Sequence, residues 1–326
     1  EVTQGEEFAY VEYQNNYSVP ETILFFFVTR NETNMPSTDC TPNAKGLRGY
    51  LNIINKEAVA EFLNMTINTH KKAVGDEFGK TVRGIFTDEP TSLRHFWCNI
   101  PGPWDDGLFE KFEEMLGYSL KPYLYTLFYE PKSLEEAKAR DDYRTLIKKL
   151  YLENFVGQYA QWCKENNLIF TGHFGGEEEI VASIYQGDFQ TALSYMDIPG
   201  MDCIFPTYKY DEPNWNIAGK LVSSVAKYKN VDRVLCETFT GSGWNTDFPK
   251  MRRIVNRLMV MGANMIQYMG AHYSLRESRK RDMLPSSHGY INPLFRLYHL
   301  FNDYVAALSY LSASTRPDGK IMVISP

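Results

Sequence analysis

Thr81-Val82-Arg83-Gly84-Ile85-Phe86-Thr87-Asp88-Glu89-Pro90 is the stretch on which the fold turns. An apolar, β-rich run ends abruptly in two adjacent acids and a proline, as a strand does when it delivers polar side chains to its carboxyl end. The same pattern recurs downstream. Leu168 to Phe174 (LIFTGHF) predicts a strand running into Gly175-Gly176-Glu177-Glu178-Glu179, and Gly200 to Pro206 (GMDCIFP) a shorter one. Asp232 to Cys236 (DRVLC) stops at Glu237-Thr238, and Asn264 to Met269 (NMIQYM) leads into Gly270-Ala271-His272-Tyr273-Ser274. Upstream, Thr22 to Thr29 (TILFFFVT) reads as a further strand.

Helical stretches lie between these runs. One begins after a capping Asn55 and covers 56–74; others cover 107–116, about 134–166 closed by Asn166-Asn167, 217–228, 248–262 stopped by Gly262, and 291–313. Strands alternating with helices predict an α/β fold with a parallel sheet. No G-x-G-x-x-G or Walker lysine follows any strand, which argues against a nucleotide-binding open sheet. Polar residues instead collect after almost every strand: Asp88-Glu89, His173, Asp202, Glu237 and His272-Tyr273. A (β/α)8 TIM-type barrel keeps its active site at those ends, so the barrel is the expected architecture. Residues 1–319 are assigned to it, with its first β-α units missing or irregular. Residues 320–326 are assigned as the first strand of a following domain.

With 326 residues, 44% hydrophobic and 23% charged, the chain has ample material for a core and is not disordered. A net charge of −6 argues against a nucleic-acid partner or an anionic membrane surface. The longest apolar run falls far short of the ~20 residues of a membrane span. Five separate cysteines (Cys40, Cys98, Cys163, Cys203, Cys236) form neither a disulfide framework nor a zinc site, and lean toward a reducing, cytoplasmic setting. The sequence lacks a starting Met and stops within a fresh apolar run, so it reads as an internal piece of a longer protein with further domains. Homo-oligomerisation is left open.

Glu89 and Glu237 are the candidate catalytic pair, since each ends an apolar strand and a barrel would turn both toward one mouth. Two carboxylates across a cleft are the machinery of glycosidic bond cleavage, one holding a proton for the leaving oxygen and the other ionised. For a single strand-end Glu, a helix cap or salt bridge is the commoner role. Candidate substrate-binding residues are Asp88, His173, Glu177, Asp202, Trp215, Trp244, His272 and Tyr273. His173 would touch a hydroxyl or tune a carboxylate, against the plain alternative of a core histidine. Tyr273 would hydrogen-bond the nucleophile. One glutamate of 177–179 would point inward past the bending Gly175-Gly176, although a solvated charge run is the ordinary reading. Trp97, Trp104, Trp215 and Trp244 follow strands, where indoles can stack on sugar faces, whereas Trp162 falls in a helix and reads as core. With 14% aromatic residues, a heavily packed core explains much of the excess.

These motifs carry a resemblance. Gly84 to Pro90 resembles the Asn-Glu-Pro signature ending the fourth strand of clan A glycoside hydrolases, and Leu235-Cys236-Glu237-Thr238 resembles their seventh-strand nucleophile region. The spacing of the acids is similar to the family 42 β-galactosidase type, as is Met261 to Tyr268, and residues 320–325 resemble the opening of the domain that follows such barrels. Trp162 to His173 and Met196-Asp197-Ile198-Pro199-Gly200 resemble the family 106 α-L-rhamnosidases. The resemblance implies a glycoside hydrolase acting on an oligosaccharide or polysaccharide, with Glu89 as acid/base and Glu237 as nucleophile in a retaining reaction. Asp88 stands where clan A has Asn, which opens an inverting alternative in which Glu89, Glu237 or a glutamate of the 177–179 run is the base for water. A non-catalytic carbohydrate-binding barrel is the rival class. No cofactor is implied; Ca2+, held by oxygen ligands in the acid-rich loops, is the one ion that the rhamnosidase resemblance suggests.

Overall fold

The computed structural model describes residues 2–4, 9–11, 14, 16, 18–20, 22–26, 51–90, 103–177, 188–204, 213–276, 286–315 and 321, with backbone alone for 2–4, 9–11 and 213–217. In chain order the elements are an antiparallel pair, β1 (Val2–Gln4) and β2 (Ala9–Val11), then α1 (Lys56–Met65), α2 (Ile67–Val74), β3 (Gly84–Asp88), α3 (Leu108–Leu116), α4 (Leu134–Tyr151), α5 (Gln158–Glu165) and β4 (Ile169–His173). They continue with α6 (Phe189–Ser194), β5 (Gly200–Cys203), α7 (Pro213–Tyr228), β6 (Leu235–Thr238), α8 (Phe248–Met261), β7 (Met265–Tyr268) and α9 (Tyr298–Ala313).

Strands β3 to β7 are all parallel and lie side by side in chain order. β3 pairs with β4 from Gly84–Ile169 to Asp88–His173. β5, β6 and β7 pair in the register Asp202–Glu237–Gln267. A parallel bridge between Thr171 and Ile198 links the two sheets, reinforced by the Thr171 hydroxyl donating to the Ile198 carbonyl at 2.7 Å. Two glycines permit this close approach. A Cβ on Gly172 (φ +126°) would lie 2.1 Å from the Thr87 carbonyl oxygen, and one on Gly200 would lie 2.2 Å from the Gly172 oxygen.

The helices start where short polar side chains cap them. Asn55 Oδ1 accepts from the Ala58 N–H at 2.7 Å, and Asp247 Oδ1 accepts from the Lys250 N–H at 2.9 Å. Gly262, at φ +104°, ends α8 in the left-handed conformation that favours glycine. The longer helices bury apolar stripes: Val59 and Leu63 from α1, Leu146 and Ile147 from α4, Ile254, Val255 and Leu258 from α8. With Phe170, Met201 and Cys236 from the strands these form one buried core, each large side chain contributing roughly 1.5–3 kcal/mol by leaving water.

Several sequence expectations shift. Residues 22–26 pair with no strand among the described residues, and their apolar side chains are exposed; without a neighbour to satisfy its backbone, a β-rich run does not make a strand. Residues 27–29 lie outside the described residues. The helix of 134–166 contains a π-helical turn, Leu152–Gly157, between α4 and α5. α9 starts at Tyr298 because Asn292 and a 3-10 turn at Phe295–Leu297 occupy the preceding segment. The strand expected over 232–236 runs from Leu235 to Thr238 instead. The Asn264 amide takes the Val234 N–H (2.9 Å) and the Asp232 carbonyl (2.8 Å), and so holds that segment off the ladder. Glu237 is therefore inside the strand. Of 320–326, only Ile321 is described. No helix among the described residues is long and apolar enough to cross a membrane.

Candidate active site

The carboxyl ends of β3 to β6 converge on His173. Its register partner across β3–β4 is Asp88, and Asp202 and Glu237 face each other across β5–β6. His173 is 1% exposed, and its Nε2 lies 2.8 Å from Glu237 Oε2 and 3.6 Å from Asp88 Oδ1. Phe86, two residues before Asp88, meets the imidazole edge-on at 5.4 Å. Asp88, His173 and Glu237 form one group, and Glu89, His173 and Asp202 a second, with the donor atoms of each group within 4.8 Å of one another. Both candidate catalytic acids thus lie beside the same buried imidazole.

Burial alone would drive His173 toward the neutral form. The hydrogen bond to Glu237 and the charges of Asp202, Glu177 and Glu237 outweigh it and push the pKa up to about 10. His173 is therefore an imidazolium at neutral pH, donating to the Glu237 carboxylate. Asp88 titrates above the usual carboxylate range because its hydration is reduced; the imidazolium opposes this and Glu237 adds to it. Its side chain is 68% exposed, so this shift carries no weight for stability.

Glu89 sits just past β3 at φ +49°, a left-handed conformation uncommon outside glycine. Pro90 follows it and disfavours the ordinary helical conformation at that position. The buried Tyr151 hydroxyl donates to the Pro90 carbonyl at 3.1 Å and fixes the turn. On the facing loop, Glu177 is 3% exposed and accepts from the Phe174 and Gly175 N–H groups at 2.7 and 3.0 Å. It is not a solvated charge: it points inward, with one oxygen committed to its own loop.

The remaining candidates are placed as follows. Tyr273 is 88% exposed and its carbonyl accepts from the Tyr290 hydroxyl, so the place expected for it beside Glu237 belongs to His173. The backbone N–H of His272 donates to Ser287 Oγ at 3.2 Å. Trp244 is exposed in the loop after β6. Trp215 lies within α7, not in a loop, and its side chain is outside the described residues, as is all of Trp97. Trp104 packs edge-on to Phe109 at 4.9 Å, as core rather than platform, and Trp162 is core as expected, donating to Asn68 Oδ1. The sequence reading missed Phe86 and Tyr151, whose contacts with His173 and Pro90 depend on pairing and packing between distant segments.

Comparison with known proteins follows the same direction. The family model described as α-L-rhamnosidase, glycoside hydrolase family 106, matches residues 27–284. A "Putative beta-glucuronidase" of Formosa agariphila is 23% identical over 294 residues, covering 87% of this chain and 23% of that protein. The structure of a rhamnosidase from Novosphingobium sp. PP1Y superposes with a TM-score of 0.68 at 21% identity, covering 85% of this chain and 26% of the other. The chain thus spans about a quarter of the length of these relatives. Of the two resemblances carried by the sequence motifs, the rhamnosidase one is supported by the match. Extending over most of its length, that match means that the chain belongs to the α-L-rhamnosidase family, glycoside hydrolase family 106.

Proposed function

We propose that this chain is the catalytic portion of a glycoside hydrolase that cleaves α-L-rhamnosidic bonds in an oligosaccharide or polysaccharide. The observation that carries the reading is the cluster of Asp88, Glu89, Asp202 and Glu237 around His173 at the carboxyl ends of parallel strands. The side-by-side order of β3 to β7, with no reversal, supports a barrel in which these are five consecutive strands of eight.

Glu89 is assigned as the proton donor to the leaving oxygen and Glu237 as the base. A carboxylate that receives a hydrogen bond from an imidazolium is kept ionised, which suits it to accept a proton or attack the sugar, not to give a proton. Asp88 lies within 4.8 Å of Glu237, so a water between them finds two acceptors. This favours inversion, with Glu237 activating water, over the retaining reaction in which Glu237 attacks the sugar.

The donor chemistry also fits a Ca2+ ion, which takes carboxylate oxygens. Asp88 and Glu237, or Glu89 and Asp202, would hold it, and it would supply positive charge for sugar hydroxyls. Such an ion competes with the proton on His173.

Hydrolysis of nitrophenyl α-L-rhamnoside, followed by NMR with and without a chelator, tests this reading. The β-anomer should form first, and Glu237→Gln should lower kcat by at least about 100-fold, at a Tm reduced by loss of the buried pair with His173. Cleavage of a β-glucuronide in place of the rhamnoside would refute the substrate, and an α-anomer first would refute inversion. Unchanged activity in the chelator would remove the cation.

A further inference from the structure

The reading of Glu89 as proton donor raises the question of which neighbours aim its half-buried side chain. Two glycines of the facing loop answer this. Gly175 and Gly176 are consecutive residues in the left-handed region, at φ +81° and +77°. A Cβ on Gly175 would come within 3.1 Å of Glu89 Cγ and 3.3 Å of its Cβ and Cδ, so the Glu89 side chain lies against the bare backbone of that residue. The loop is held in this shape by Glu177, whose Oε1 accepts from the N–H groups of Phe174 and Gly175. Burying a carboxylate is costly, and spending one on two backbone donors is accepted where the backbone position matters. Its second oxygen makes no hydrogen bond among the described residues. On the opposite side the Tyr151 hydroxyl holds the Pro90 carbonyl, and the Tyr151 ring meets Phe174 edge-on at 6.3 Å. Glu89 thus lies between the Gly175 backbone and a turn tied to Tyr151 at the end of α4, and the Tyr151 ring touches Phe174 of the glycine loop.

We infer that Glu177, acting through Gly175, and Tyr151, acting through Pro90, are positioning residues that aim the Glu89 carboxyl at the leaving oxygen. The inference rests on the reading of Glu89 as donor and is chosen to fail separately from it. A donor matters in proportion to the need of the leaving group for a proton. A dinitrophenolate leaves unaided, whereas an alkyl or sugar alkoxide does not. Loss of aim therefore lowers kcat on poor leaving groups selectively, whereas a merely structural defect lowers both alike.

The experiment compares 2,4-dinitrophenyl and methyl α-L-rhamnosides as substrates for Glu89→Gln, Glu177→Leu, Glu177→Gln, Gly175→Ala and Tyr151→Phe. Glu177→Leu and Gly175→Ala should lose about 10-fold or more in kcat on the methyl glycoside and no more than about 3-fold on the dinitrophenyl one. Glu177→Gln, which keeps the acceptor oxygen, should restore most of the loss. Tyr151→Phe removes a single hydroxyl, tests the positioning without strain should the loop variants not fold, and should show the same selectivity at about 3-fold. Selectivity in Glu89→Gln but in none of the others overturns the positioning role alone. No selectivity in Glu89→Gln overturns the donor reading and the positioning role with it.

Discussion

The closest polar contact of His173 at the strand ends is between its Nε2 and Glu237 Oε2, a buried pair in which each charge compensates the other. Breaking such a pair by removing one partner typically costs about 3–5 kcal/mol, because the survivor remains desolvated. His173→Gln keeps a hydrogen-bond donor and removes the charge. It should retain the fold at reduced Tm, and kcat should fall by about 100-fold, since Glu237 loses the partner that orients it. A variant with unaltered kcat would make His173 a core residue, the plain alternative raised by the sequence. At this scale the chain was partly legible. Asp88, Glu89, His173 and Glu237 stand out because each ends an apolar run. Their pairing does not, because His173 and Glu237 are 64 residues apart and only strand register brings them together. Tyr273 was misjudged for the converse reason: proximity to a strand end says nothing about which way a ring turns.

At the level of elements, the strand pattern was readable wherever a short apolar run ended in polar residues, and β3, β4, β5 and β7 fall within or close to the expected spans. The displaced strand, β6, was shifted by a side chain from another segment, since the Asn264 amide imitates a strand partner for Val234 and Asp232. No local propensity reports that. The π-helical turn at Leu152–Gly157 had only a weak signal, the run Asn154-Phe155-Val156-Gly157 being poor in strong helix formers. Gly172 shows the tightest element contact. It pairs with Thr87 where no side chain fits, and its φ of +126° is one that L residues rarely adopt. Gly172→Ala should therefore cost about 3 kcal/mol or more, from overpacking and backbone strain together. Chemical denaturation should show a lower midpoint, while an unchanged midpoint would mean that β3 and β4 separate at little cost.

Over the whole molecule, two buried histidines set opposite limits on stability. His288 is enclosed by Phe239 and Tyr268, with Nδ1 2.8 Å from the Tyr298 hydroxyl. Burial pulls its pKa down to about 4, opposed by a hydrogen bond with the Phe239 backbone and assisted by the charge of His272. Its folded value lies below the usual 6.5, so the unfolded chain takes up the proton first. Stability therefore drops as pH falls from about 6.5 to about 4, by about 3 kcal/mol at most. His173 works in the other direction. With a folded pKa of about 10, its contribution is complete below about 6.5 and is lost as pH rises toward 10. The two shifts together make a dome of stability centred near pH ~6.5, narrower than carboxylates alone would give. Thermal unfolding between about pH 4.5 and about pH 9.5 checks this residue by residue: His288→Gln should flatten the acid limb and leave the alkaline one, and His173→Gln should do the reverse. Parallel curves for all three proteins would mean that His288 is not buried as a neutral ring and His173 not as a cation, and would remove the imidazolium on which the role of Glu237 depends.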